Sequence, residues 1–305
     1  MNRRNVLIAA GLGPTAPAMA GAVGTSAARR PSLGPDSMVT AADGAGLDTS
    51  DWGEGRPLVF LASLGLPSDM WDYQRLALSG HGLRCIAYDR RGHGRSSVPG
   101  GKYDFDTLAD DLASVLEALD LRDAVLIGHS LASGEMVRYV TRHGTGRVSK
   151  LVFVSSAATP EVLHSPTNPT APTAEQFQVY LDSLVAKGFP VWLAENEAPF
   201  FTPETPPEMR KWLVGMMLRT PLKAYYECNR TLGSARFTEE LKAIRRPSLV
   251  IHGDKDVSAP VERGRDTAAL IPGGRFILYE GAPHGLFITH RERLNADLRT
   301  FVGVV

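Results

Sequence analysis

A serine is a useful nucleophile only where the backbone presents its hydroxyl and a nearby base takes its proton. Ser130 meets the first condition in the run Val125-Leu126-Ile127-Gly128-His129-Ser130-Leu131-Ala132-Ser133-Gly134. An apolar strand-like stretch leads into a turn of small residues, and residues 135–142 suit a helix, so the serine falls at a strand-turn-helix tip. Gly128 leaves room for the tight turn, and the helix start brings free backbone N–H groups and the positive dipole end beside the hydroxyl. Ala132 stands where such turns usually carry a second glycine. It is the smallest departure available, but it trims the space for backbone packing. His284, in Glu280-Gly281-Ala282-Pro283-His284-Gly285-Leu286, is the expected base, because it follows the last strand-like run. The orienting carboxylate should come from Ile251-His252-Gly253-Asp254-Lys255-Asp256-Val257, where motif position favours Asp256 over Asp254. The chain order Ser, Asp, His is one of the known orders for this set of three groups.

Plainer readings exist for each residue. A serine at a helix start can be only a cap, and a loop histidine can be satisfied by backbone groups. The ordered set of three weighs against both. His252, His129 and His93 read as structural or supporting, and Asp89, Arg91 and Ser96 as braces of their own loop. Trp71, Trp192, Trp212, Phe200 and Phe201 are candidates to line a pocket, although large aromatics more often build core.

The elements that must position these groups follow an alternating pattern. Residues 37–41 and 47–52 around Asp43-Gly44 read as a hairpin. Compact apolar runs at 58–62, 84–88, 124–128, 151–155, 248–252 and 276–279 have strand length and composition. Helical stretches lie between them, such as 107–119, where Leu108, Leu112, Val115, Leu116 and Leu119 recur at three and four residues. This is an α/β pattern, with a largely parallel sheet covered on both faces. From residue 159 to 241 the alternation stops: a Pro- and Thr-rich stretch precedes helical runs at 174–187 and 208–218. That segment reads as a helical cap over the carboxyl ends of the strands, inserted into a core of residues 36–158 and 242–305.

The chain has 305 residues, and its 33 basic and 33 acidic side chains cancel. That balance argues against nucleic acid or an anionic membrane as partner and favours a small-molecule substrate. Cys85 and Cys228 are far apart in a chain too large to need a staple, and both read as buried thiols. Neither forms part of a metal-binding spacing. At the amino terminus Arg3-Arg4 precedes a weakly apolar stretch with no acidic residue before Asp36. Residues 1–30 therefore read as an export leader, with the twin-arginine route preferred over general secretion or an uncleaved arm. Ala18-Met19-Ala20 is the best cleavage site, and the apolar stretch is too short and interrupted to span a bilayer stably. The expected location is the periplasm or the medium.

Five stretches together resemble a known family: Trp52-Gly53-Glu54-Gly55-Arg56-Pro57, Tyr88-Asp89-Arg90-Arg91-Gly92-His93-Gly94-Arg95-Ser96, Gly128-His129-Ser130, Ile251-His252-Gly253-Asp254-Lys255-Asp256 and Tyr279-Glu280-Gly281-Ala282-Pro283-His284-Gly285. They are similar to the bacterial α/β-hydrolases known as cofactor-free chloroperoxidases, perhydrolases or aryl esterases, over nearly the whole chain after the leader. The resemblance implies an α/β-hydrolase fold with a mostly parallel eight-stranded sheet flanked by helices. It also implies no cofactor or metal, Asp256 as the triad acid, and ester hydrolysis through an acyl-enzyme on Ser130, with peracid formation as a side reaction. By position, the backbone N–H groups of Leu64 and Leu131 would receive the oxyanion. One stretch departs from the family. Ala62-Ser63-Leu64-Gly65 replaces the usual His-Gly and is similar to the Asn-Ser-Leu-Gly of enol-lactone hydrolases, which makes a lactone a second substrate class. A carbon-carbon bond hydrolase or lyase on the same triad, or a ligand-binding pseudoenzyme, are the alternatives.

Overall fold

A computed structural model describes residues 37–304, so the export reading of residues 1–30 lies outside the described residues. The hairpin forms from β1 (Ser37–Thr40) and β2 (Gly46–Trp52), which pair antiparallel. The six apolar runs become β3 (Arg56–Leu61), β4 (Leu83–Tyr88), β5 (Ala124–His129), β6 (Val148–Val154), β7 (Ser248–Gly253) and β8 (Arg275–Tyr279). All eight strands form one sheet in the order β1-β2-β4-β3-β5-β6-β7-β8, in which β3 to β8 run parallel and β2 joins β4 antiparallel. The strands read as unbroken apolar runs because both faces are covered. Leu58, Phe60, Val125, Ile127, Val152 and Val154 pack on one side. Their neighbours Val59, Leu61, Leu126, Leu151 and Phe153 pack on the other.

In chain order the helices are α1 (Asp72–Ser79), α2 (Phe105–Ala118), α3 (Ala132–His143), α4 (Ala174–Lys187), α5 (Phe189–Asn196), α6 (Pro207–Leu218), α7 (Leu222–Gly233), α8 (Thr238–Ala243), α9 (Val261–Leu270), α10 (Leu286–Thr289) and α11 (Arg291–Val302). Short 3-10 turns cover Ser68–Trp71 and Ala198–Phe200. The spacing read along residues 107–119 buries Leu108, Leu112, Val115 and Leu116 of α2 against the sheet. Its start is set by Asp104, whose side chain accepts the Thr107 N–H at 2.9 Å. Residues between β6 and β7 contain α4 to α8 and add no strand to the sheet. A capping box between Thr173 and Gln176 starts α4, which packs on α5 and α7. By contrast α8 contacts α3 and α9, helices that flank the sheet. No helix of the described residues is long and apolar enough to cross a membrane.

Candidate active site

The central strand β5 ends at His129 and α3 begins at Ala132, which leaves Ser130 and Leu131 to make the turn. Ser130 adopts the left-handed region, with φ +57°. For a non-glycine residue that conformation costs about 1–3 kcal/mol and persists only where the surroundings hold it. They do so here. The Ser130 N–H donates to the Val154 carbonyl at 3.0 Å, and its carbonyl accepts from Ser133 N–H at 3.1 Å and Ser133 Oγ at 2.7 Å. A Cβ at Gly128 would stand 2.9 Å from Met136 Cε and 3.1 Å from Ala132 Cβ. The space Gly128 keeps open is therefore against the first turn of α3, and Ala132 takes part of it.

His284 follows β8, and its Nε2 lies 3.0 Å from Ser130 Oγ. Its Nδ1 lies 2.7 Å from Asp256 Oδ2. A carboxylate only accepts, so the proton sits on Nδ1 and the Nε2 lone pair faces the serine hydroxyl. The ring is held through its backbone: the His284 N–H donates to the Pro199 carbonyl at 2.9 Å, and its carbonyl accepts from His129 Nε2 at 2.8 Å and Ser155 Oγ at 3.2 Å. Asp256 Oδ1 accepts the N–H groups of Ser258 and Ala259 at 3.0 and 2.8 Å. His252 Nε2 donates to the Ala259 carbonyl at 2.8 Å and stands 3.2 Å from Asp256 Oδ2. Burial works against ionisation of Asp256. The electrostatic interaction with His284 and hydrogen bonds from His252 and His284 outweigh it and hold the carboxyl well below the usual carboxylate range. Asp254 is not part of this relay; its Oδ1 accepts the Gly281 N–H at 2.7 Å and braces the turn before His284.

The loop after β3 faces the elbow. The N–H groups of Leu64 and Leu131 find no acceptor among the described residues. His93 belongs to this loop's support: its Nε2 accepts the Gly65 N–H at 3.1 Å and its Nδ1 donates to the Arg91 carbonyl at 3.1 Å. Asp89 accepts the N–H groups of Ser68 and Arg95, and Ser96 Oγ donates to the Asp89 carbonyl at 2.5 Å, which is the bracing expected of them. Both cysteines are free and buried, and burial pushes each thiol up to about 12. Neither is a thiolate near neutral pH.

Of the aromatic candidates, Trp192 and Phe200 line a cavity of about 970 Å³ shared with Phe177, Tyr180 and Tyr225. The Phe200 ring also meets the His284 ring edge-on at 5.0 Å between centroids. Trp71, Phe201 and Trp212 pack instead with the core on the Leu58 and Phe60 face. Sequence reading missed Arg90 and Glu135, a buried ion pair at 2.8 Å beside the site. The sequence carries no spacing that signals the pair, since Arg90 follows β4 and Glu135 stands in the first turn of α3, 45 residues on.

Comparison with known proteins decides the family. A profile described as alpha/beta hydrolase fold matches residues 56–291. The chain belongs to the α/β-hydrolase family. This α/β-hydrolase is 41% identical over 274 residues to a non-heme chloroperoxidase from Streptomyces lividans, covering 87% of this chain and 98% of the relative. A bifunctional esterase/perhydrolase from Acinetobacter calcoaceticus is 35% identical over 274 residues with the same shares. Among solved structures, an esterase from Exiguobacterium antarcticum superposes with a TM-score of 0.84 at 28% identity, covering 87% of this chain and 98% of that one. The α/β-hydrolase is thus similar to enzymes over almost its whole described length.

Proposed function

We propose that this α/β-hydrolase cleaves small carboxylic esters or lactones by acyl transfer through Ser130. The observation that carries the reading is the unbroken relay from Ser130 Oγ to His284 Nε2 at 3.0 Å and from His284 Nδ1 to Asp256 Oδ2 at 2.7 Å. Ser130 Oγ attacks the substrate carbonyl while His284 takes its proton, and the ionised Asp256 holds the tautomer and steadies the imidazolium. The oxyanion is assigned to the free N–H groups of Leu64 and Leu131. Collapse expels the alcohol, which receives the proton from His284 and leaves an acyl-enzyme. Water then attacks with His284 again as base and releases the acid. Hydrogen peroxide in place of that water would give a peracid, the reaction suggested by the name of the Acinetobacter relative. Residues 159–241 are read as the cap over this site, and the cavity beside Phe200 as the acyl or alcohol pocket.

Ser130→Ala should lower kcat for p-nitrophenyl acetate by about 10⁶-fold. It should also abolish labelling by a fluorophosphonate, with the circular dichroism spectrum unchanged. A folded alanine variant that hydrolyses at the wild-type rate overturns the assignment. A wild-type protein that takes no label favours a ligand-binding protein without turnover.

A further inference from the structure

The loop of residues 62–65 is gripped along its backbone. The carbonyls of Ala62 and Ser63 accept from Arg90 Nη2 and Nη1 at 2.8 and 3.2 Å. The Gly65 carbonyl accepts from Thr220 Oγ1 at 2.9 Å, and the Gly65 N–H is held by His93. The Ser63 carbonyl and the Leu64 N–H belong to one peptide plane and, in a trans peptide, point in opposite directions. A guanidinium that holds the carbonyl therefore turns the Leu64 N–H to the far side, where it finds no acceptor among the described residues. A cation against the carbonyl also polarises the peptide and strengthens that N–H as a donor.

The guanidinium is itself locked. Glu135 Oε2 accepts from Arg90 Nε at 3.0 Å and Nη2 at 2.8 Å, and its other oxygen accepts from the Tyr88 hydroxyl. Arg90 and Glu135 are 2% and 0% exposed, and Glu135 lies in the first turn of α3, the helix that opens two residues after Ser130. One buried pair thus connects the helix behind the nucleophile to the loop opposite it. We propose that Arg90, locked by Glu135, is the positioning residue of the oxyanion hole and sets the Ser63-Leu64 peptide plane relative to the Ser130 elbow. This rests on the acyl-transfer reading above. Stability alone is a poor reason for such a pair, because apolar replacements of buried ion pairs are often neutral or better. A lysine cannot substitute, since an ammonium lacks the planar fork that serves one carboxylate and two carbonyls together.

The test compares Arg90→Lys with the paired variant Arg90→Met/Glu135→Gln, which avoids stranding a buried carboxylate. Phenylboronic acid supplies the second readout, because its tetrahedral adduct on a serine places an oxygen where the oxyanion would lie. Both variants should keep the near-ultraviolet circular dichroism of the folded protein and a nearly unchanged KM. Their kcat for p-nitrophenyl acetate should fall about 10–100-fold, with phenylboronic acid binding weakened by a similar factor. A purely structural pair would lower the melting temperature and leave kcat and boronate affinity alone, and that result in either folded variant overturns the proposal. Arg90→Lys retains a charge for Glu135 and decides the matter by itself if the paired variant does not fold. Ser130→Ala is run in parallel. An active Ser130→Ala defeats the acyl-transfer reading, whereas an inactive one beside unaffected Arg90 variants defeats only the positioning role.

Discussion

His93 must stay neutral to support its loop, because its Nδ1 proton goes to the Arg91 carbonyl and its Nε2 lone pair takes the Gly65 N–H. Burial and then the charge of Arg90 push the ring down to about 3, so it remains an acceptor across the working range. An unfolded chain would protonate that histidine near 6.5. Between those values the unfolded state binds more protons, so this contribution is complete above about pH 6.5 and is lost as the pH falls toward 3. His93→Gln keeps an acceptor without the titration. Measured by urea unfolding from pH 7 to 4, wild type should lose stability relative to His93→Gln by up to about 1.4 kcal/mol per pH unit. His129, also held well below its usual range by burial, is present in both proteins and cancels. Parallel pH curves would show that His93 does not titrate between the two states. At this scale the meeting of Ser130, Asp256 and His284 was legible because a nucleophile, a base and an orienting acid restrict the residue types, and the ends of successive parallel strands set their order along the chain. Arg90 and Glu135 were not, since only the packing of β4's end against α3 brings them together and no spacing announces it.

Between elements, a close approach in the site is where the end of β7 meets the loop after β8. A Cβ at Gly253 would fall 2.0 Å from the Ala282 carbonyl oxygen. That carbonyl is backbone, two residues before His284, and it also accepts the Lys255 N–H at 3.1 Å. Gly253→Ala should therefore part the histidine loop from the strand end that leads to Asp256. A displacement near 1 Å in such a relay lowers kcat by about 100-fold. Gly273→Ala is the control: it lies in the turn before β8, at φ +73° and with nothing within 4 Å of an added Cβ. It should lower the melting temperature through backbone strain and leave kcat unchanged. Equal kcat in the two variants would mean that the close approach has no bearing on the relay. The strands on either side were read within three residues of their observed bounds, because strands buried on both faces leave unbroken apolar runs. The contact at Gly253 was not, because a glycine at a strand end reads equally well as a simple turn.

Across the whole molecule, the segment between β6 and β7 touches the site at two places. Thr220 Oγ1 donates to the Gly65 carbonyl beside Leu64, and the Pro199 carbonyl accepts the His284 N–H. The cavity of about 970 Å³ lies between these anchors and α9, and Phe200, which lines it, also meets the His284 ring edge-on. A volume of that order holds a drug-sized ligand, yet its shape is set by helices α4, α5 and α7, whose sequences carry no readable code for substrate. That is why the fold and the three side chains of the relay were legible in the chain and the substrate was not. Phe200 is half-buried, and a Phe200→Ala variant should keep the fold while extending the cavity toward His284. The ratio of kcat/KM for p-nitrophenyl hexanoate over acetate should then rise about 10-fold, the size of effect that added apolar room in a pocket produces. Fluorophosphonate labelling of Ser130 should continue at a similar rate, since the relay does not pass through the Phe200 ring. If labelling persists and the ratio does not move, the acyl chain lies elsewhere and the cavity serves the alcohol side, which a series of alkyl acetates would then show.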